Sequence, residues 1–443
     1  MQKRRVAIAA AAICLLLSGC SSLSLSSPDI LSPPKAEGNQ AEIQELIQNS
    51  SGSDYEMVYP ESGEFKSSVV FRDLDNDNNE EAIAMYTCEE DTISVLLAQK
   101  QGDDFRRLDE FQINAPKIDR IEFADFGSGV EDILISYPGS AATLQSMILL
   151  SVGDEVTRND MINTCSAHIV GDFNGDKTDD LLTLALADGA NLPTAKLFVA
   201  SKGSLAEQSS CEISSDTREY VGLSFGKICE EISGAVVDAK TTDGGFSTQL
   251  ICYDYNERSI INPLYVGGGY NGTKRAAEVL SADIDRDNII EIPLCEPMEY
   301  SQSEESSSVC DKIKWSNYDY TQLSLATKQS AILCDRLGFL LNLAPDKAQV
   351  VTARYTGENS MCVYLWEYKR NTPERTTKLL TVKRYNRENY DKNTVLEAVA
   401  AENNAYVYTY IIENEDEYYC FSDDDVRNNI VLFENHIDPD SLK

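Results

Sequence analysis

Three stretches of this sequence repeat one acidic pattern, and no other feature restricts the fold as much. They run from Asp73 to Glu81 (DLDNDNNEE), from Asp172 to Asp180 (DFNGDKTDD) and from Asp283 to Glu291 (DIDRDNIIE). Each places Asp or Asn at loop positions 1, 3 and 5 and an acid at position 9. Each then runs into apolar residues suited to a strand, such as Ala82-Ile83 and Leu181-Leu182. Alternate residues of a tight loop aim their carboxylates at one point. Left bare, such groups repel one another and are pushed towards protonation. A hard cation removes the conflict, and Ca²⁺ takes six to eight oxygens at about 2.3–2.6 Å. Position 7 contributes a backbone carbonyl, which needs no particular side chain. The candidate ligands are therefore Asp73, Asp75, Asp77, Asn79 and Glu81; Asp172, Asn174, Asp176, Thr178 and Asp180; and Asp283, Asp285, Asp287, Ile289 and Glu291, for up to three structural Ca²⁺ ions.

The loops are not EF-hands. That motif needs a bidentate Glu at position 12 between two helices, and position 12 here is Ala84, Thr183 or Leu294. The spacing instead marks a repeat. Between the first two loops, Phe123–Ile135 keeps the aromatic start and the following strand but lacks acids at positions 3 and 5, so it is assigned no metal. From Asp73 to Asp125 is 52 positions and from Asp125 to Asp172 is 47, a period that suits one four-stranded propeller blade. A degenerate start is due at Val221–Lys227. The expected fold is mainly β: a β-propeller-like array of about 50-residue repeats over 51–320, followed by a smaller α+β domain over 321–443. In that last region strands are expected at 338–343, 350–355, 361–368, 378–384 and 406–412. Ser422 reads as the N-cap of a helix over Val426–Phe433.

The loop pattern resembles the FG-GAP/VCBS repeats of integrin-like β-propellers, with Phe173-Asn174-Gly175-Asp176 the nearest match. The first and third loops depart from it. They carry Glu81 and Glu291 at position 9, and Asn78 and Asn288 at position 6 in place of glycine. Asn tolerates left-handed backbone, so the turn survives. The whole layout resembles lipoproteins of clostridial-type Gram-positive bacteria in Leu17–Cys20, Pro33-Pro34, Tyr59-Pro60-Glu61-Ser62-Gly63, the loops and Glu291-Ile292-Pro293. That resemblance implies a surface lipoprotein and carries over no activity.

The chain's beginning agrees. Lys3-Arg4-Arg5 precedes a short apolar run, Val6–Leu17, which is too short to span a bilayer as a helix and suits a signal peptide. Leu17-Ser18-Gly19-Cys20 resembles the lipoprotein cleavage box, which implies removal of residues 1–19 and lipidation of Cys20. Residues 20–50 read as a Ser/Pro-rich tether ending in a short helix at 41–48. Cleavage leaves 35 Lys+Arg against 73 Asp+Glu, a net charge of −38. A field of that sign repels phosphate backbones and excludes nucleic acid as a partner. His168 and His436 are the only imidazoles, which argues against clustered His–metal sites.

No CxxC occurs among the twelve cysteines. Those within apolar runs, such as Cys252, read as small buried hydrophobes, while Cys295 and Cys310 bracket a polar insertion and form the candidate disulfide. Gly222-Leu223-Ser224-Phe225-Gly226 matches GxSxG, but that motif catalyses only at a strand–turn–helix elbow. No catalytic residue is assigned. The function expected is that of a non-enzymatic, lipid-anchored protein facing outside the cytoplasm, whose calcium-stabilised array presents a face to a protein or glycan. The alternative is a cell-envelope, carbohydrate-active hydrolase on the same scaffold, which requires converging carboxylates away from the three loops.

Overall fold

The computed structural model describes residues 38–141, 143–153, 155–189, 191–201, 204–265, 272–298, 310–369, 372–413 and 418–433. The signal peptide, Cys20 and most of the tether lie outside the described residues, as does the polar insertion around 300–308. Among the described residues no helix is long and apolar enough to cross a membrane.

Among the described residues, six antiparallel sheets follow one another along the chain. After helix α1 (Asn39–Ser51), the first sheet contains β1 (Glu56–Met57), β2 (Val69–Arg72), β3 (Glu81–Glu89), β4 (Thr92–Gln101) and β5 (Asp104–Ile113). The second contains β6 (Arg120–Ala124), β7 (Asp132–Pro138), β8 (Gln145–Ser151) and β9 (Thr157–Cys165). The third contains β10 (Ala167–Gly171), β11 (Asp180–Ala185), β12 (Thr194–Ser201) and β13 (Ser204–Glu212). The fourth contains β14 (Thr217–Lys227), β15 (Ser233–Thr241), β16 (Phe246–Asp254) and β17 (Ser259–Ile261). The fifth contains β18 (Ile292–Pro297), β19 (Asp311–Asp319), β20 (Ser324–Cys334) and β21 (Phe339–Leu343). Beyond the short helix α2 (Pro345–Ala348), the sixth contains β22 (Val351–Gly357), β23 (Ser360–Lys369), β24 (Thr372–Asn386), β25 (Ala398–Glu402) and β26 (Tyr406–Ile412). The chain then forms α3 (Asp423–Arg427) and returns to β21 as β27 (Ile430–Leu432). This is the mainly β, blade-by-blade architecture expected from the period.

The sheets are stacked face to face, which explains why many strands read as unbroken apolar runs rather than alternating ones. In the first sheet Ile83, Met85, Ile93, Val95 and Leu97 pack against the second sheet. Ala82, Ala84, Tyr86, Leu96 and Ala98 turn the other way and pack against Ile43 and Ile47 of α1. Further clusters join the second sheet to the third, the third to the fourth, the fourth to the fifth and the fifth to the sixth. Among the described residues no such cluster joins the sixth to the first. The sixth sheet buries Ala353, Val363, Leu380 and Val382 on its inner side. Its other side is a polar network in which Lys383 meets Glu397 at 2.5 Å and Thr381 meets Glu413 at 2.6 Å. Among the described residues the outer face of the first sheet is covered by α1, and that of the sixth carries these polar contacts.

Three expectations change. The helix expected at 41–48 runs from Asn39 to Ser51, and because Ile43 and Ile47 are fully buried it belongs to the folded stack rather than to the tether. A boundary between 320 and 321 falls in the turn joining β19 to β20, which are paired strands of one sheet. Ser422 does cap a helix, with a full capping box to Asp425, but the helix stops at Arg427 and Ile430–Leu432 pairs with β21 instead. The apolar run within that segment is Ile430–Phe433, and so short a run does not separate helix from strand.

A buried ion pair fixes the segment before the third acidic loop. Arg275 and Asp238 lie 2.8 Å apart with side chains 0% and 3% exposed. Asp238 also accepts from the Ser281 N–H at 2.7 Å and the Thr248 hydroxyl at 2.5 Å, while Arg275 donates to the Val279 carbonyl at 2.8 Å. Asp238→Ala would strand the guanidinium, so it should cost about 3–5 kcal/mol. Chemical denaturation measures this, and a loss below about 1 kcal/mol would contradict it.

Candidate metal loops

The acid at position 1 is the hub of every loop. Asp172 accepts backbone N–H groups from Gly175, Asp176 and Lys177 at 2.7, 3.1 and 3.0 Å. Asp283 accepts those of Arg286, Asp287 and Asn288 at 2.7, 3.2 and 3.0 Å, and Asp73 those of Asp77 and Asn78 at 3.1 and 3.0 Å. Bringing these N–H groups onto one carboxylate needs left-handed backbone at positions 4 and 6. The φ values there are 61° and 68° at Asn76 and Asn78, 77° and 74° at Gly175 and Lys177, and 67° and 66° at Arg286 and Asn288. The glycine of the second loop thus serves position 4, and its position 6 is Lys177. Asn76, Asn78 and Asn288, with short polar side chains, bear αL at little cost, whereas position 4 of the third loop is Arg286.

Position 9 opens the following strand in the first two loops and immediately precedes it in the third, and it is buried, with Glu81, Asp180 and Glu291 at most 1% exposed. Each closes the loop by accepting the N–H of position 2: Leu74 at 2.8 Å, Phe173 at 3.1 Å and Ile284 at 2.9 Å. The degenerate loop of the second sheet has the same frame without the extra acids. Asp125 accepts from Gly127 and Gly129, both at 2.9 Å, and Asp132 from Phe126 at 3.3 Å.

Positions 1, 3 and 9 come together in two loops. One carboxylate oxygen each of Asp73, Asp75 and Glu81 lie within 4.8 Å of one another, as do those of Asp283, Asp285 and Glu291. Both clusters could hold a metal ion. In the second loop position 3 is Asn174, and its acids form no such cluster among the described residues. The loop nearest the family pattern is thus the one with fewest converging charges. Position 5 turns back on its own loop: Asp77, Asp176 and Asp287 accept the N–H of Asn79, Thr178 and Ile289 at 2.7, 2.9 and 2.9 Å.

The first and third loops differ in what faces their charge. Glu81 spends one oxygen on Leu74, and its buried Oε1 has no hydrogen-bond partner among the described residues. In the third loop the ammonium of Lys328 lies 2.7 Å from Asp285, 2.5 Å from Asp287 and 3.2 Å from Glu291. Nothing in the sequence pattern flagged Lys328, which lies 37 positions beyond Glu291.

Burial pushes the Glu81 and Asp180 carboxyls up to about 7, and the neighbouring loop acids add to the rise. Without a cation the folded chain keeps protons that the unfolded chain releases near its ordinary values of 4.5 and 3.8. The folded state then binds more protons, so its stability falls as pH rises from about 4 to about 7. In chelator the melting temperature should drop across that window, and the drop should be shallower in Glu81→Gln. A profile that is flat, or the same in the variant, contradicts this.

The remaining candidates resolve as follows. GxSxG lies inside strand β14, where no elbow forms, and β14 is the first strand of the fourth sheet, as a repeat start at Val221–Lys227 requires. Cys295 and Cys310 are not partners. Cys295 stands opposite Ile313 and packs on one face of the fifth sheet, while Cys310 pairs by backbone with Met298 and packs on the other. The Cys310 sulfur lies 3.9 Å from that of Cys334, on the strand beside it. A cavity of about 790 Å³ opens among the second, third and fourth sheets, lined by Glu61, Asp119, Glu219, Lys117, Arg218 and Tyr220. Two of its acids are engaged, Glu61 with Lys117 at 2.5 Å and Glu219 with Lys240 at 3.4 Å.

No model of a known protein family matches the sequence, and no curated protein matches it. Solved structures do. The chain is similar to the six-bladed β-propeller lectin of Aleuria aurantia at 9% identity, over 70% of this chain and 94% of that one, with a TM-score of 0.25. It is similar to a putative 6-phosphogluconolactonase from Bacteroides uniformis at 11% identity, over 72% and 86%, with a TM-score of 0.29. It is also similar to Sqt1 of Saccharomyces cerevisiae at 10% identity, over 69% and 82%, with a TM-score of 0.30.

Proposed function

We propose that this protein is a binding module: a β-propeller-like array stabilised by Ca²⁺, carried outside the cytoplasm on a lipid at Cys20, that presents a face to a protein or glycan partner. The observation that supports it best is the first loop. There a buried carboxylate with an unpartnered oxygen stands beside Asp73 and Asp75 within one ion's reach. At that separation each pair of charges costs roughly 3 to 4 kcal/mol at an effective dielectric near 20, and the cluster is all hard oxygen, the donor set Ca²⁺ prefers. Glu81, Asp73 and Asp75 would hold the ion, which would join β2 to β3 and so steady the sheet on which α1 rests. The second loop offers Asp172, Asn174, Asp176 and Asp180 in the same frame. The hydrolase reading is the weaker one, because two of the three acids in the 790 Å³ cavity are already ion-paired.

Millimolar Ca²⁺ should raise the melting temperature by several degrees over chelator. Glu81→Gln should remove much of that rise, and Asp172→Asn with Asp176→Asn a further part. An equal rise in all variants would place the ion elsewhere, and no rise in the wild type would end the calcium reading.

A further inference from the structure

We infer that the third acidic loop carries its own cation, the Lys328 ammonium, and that this loop is therefore built to fold without a divalent metal; the inference rests on the calcium reading of the first loop only for contrast. Lys328 Nζ reaches one carboxylate oxygen each from Asp285, Asp287 and Glu291, at 2.7, 2.5 and 3.2 Å. Two of these three acids, Asp285 and Glu291, belong to the cluster that Asp283 completes. The ammonium thus faces the oxygens that a Ca²⁺ ion would need. Glu291 Oε1, the counterpart of the orphaned Glu81 Oε1, takes its partner from Lys328. Burial alone would lower the lysine's proton affinity, but the hydrogen bonds to the three acids outweigh it and keep the group charged.

Backbone register explains how a residue so distant in sequence arrives there. The ladder between β19 and β20 pairs Trp315 with Gln329 and then Ser316 with Thr327, leaving Lys328 as the extra residue of a β-bulge. Bulges re-aim the side chain they carry. The same bulge recurs four residues past the start of the corresponding strand in two other sheets. Leu97 pairs with Asp109 and Ala98 with Arg107, leaving out Leu108, and Leu197 pairs with Ser209 and Phe198 with Glu207, leaving out Gln208. Leu108 packs into the core between the first and second sheets, and the Gln208 amide donates to the Tyr253 hydroxyl at 3.3 Å. Neither can supply a charge, so of the three register-equivalent positions only the one in the fifth sheet neutralises an acidic loop from within.

The test uses the full chain. Ca²⁺ stoichiometry is measured by titration calorimetry with Ca²⁺ alone, and melting temperature is measured in chelator. Lys328→Met should melt several degrees below wild type in chelator and should bind one Ca²⁺ more than wild type, the added ion being lost again in Lys328→Met with Asp285→Asn. Asp285→Asn in the wild-type background should leave the stoichiometry unchanged. That variant keeps the proposal testable even if Lys328→Met does not fold. A wild type that loses one bound Ca²⁺ on Asp285→Asn, or a Lys328→Met chain with unchanged stoichiometry, overturns the inference. If the wild type binds no Ca²⁺, the calcium reading of the first loop fails by itself, and the gain of one ion in Lys328→Met still decides the role of Lys328.

Discussion

A buried carboxylate at the head of a strand is the constraint on which the rest of this structure depends. Glu81, Asp132, Asp180 and Glu291 occupy one structural position in the first, second, third and fifth sheets, and each accepts the backbone N–H of a residue six or seven positions earlier. Hiding an acid in a β core is unfavourable unless its oxygens are satisfied. The hydrogen bond to position 2 satisfies one oxygen and closes the loop between the first two strands of a blade. What meets the other oxygen differs from loop to loop. Among the described residues it has no partner in the first loop or at Asp132, and in the third loop it meets Lys328.

From that closure the blade follows. Once the loop is shut, β2 lies beside β3 and the apolar runs after each loop have two faces to bury. The neighbouring sheets supply both, which is why clusters span adjacent sheets in sequence order. At the first sheet the outer face falls to α1, and at the last it carries the polar contacts of Lys383 with Glu397 and of Thr381 with Glu413, with Thr381 itself buried.

Much of this was legible in the residues themselves. The acidic loops, their period and the β character come from local pattern, because loop position and strand start are separated by only nine residues. The degenerate blade start at Asp125 was readable for the same reason. Long-range features were not. Lys328 reaches its loop only through a bulge in a hairpin, and no local motif encodes a bulge that recurs with Leu108 and Gln208 in its place. The Cys295–Cys310 pairing failed because sequence spacing says nothing of face: the two thiols lie on opposite sides of one sheet. The last helix was overextended because Ile430–Leu432 is apolar in either conformation, and its partner strand lies some 90 residues earlier in the chain.

The central claim is that Asp73, Asp75 and Glu81 seat a cation which the third loop replaces with an ammonium. Anomalous diffraction from crystals grown with millimolar Ca²⁺ reads this directly. The account predicts a calcium peak among the carboxylates of Asp73, Asp75 and Glu81, and the Lys328 ammonium, without a peak, between Asp285 and Glu291. A peak in the third loop, or none in the first, would contradict it.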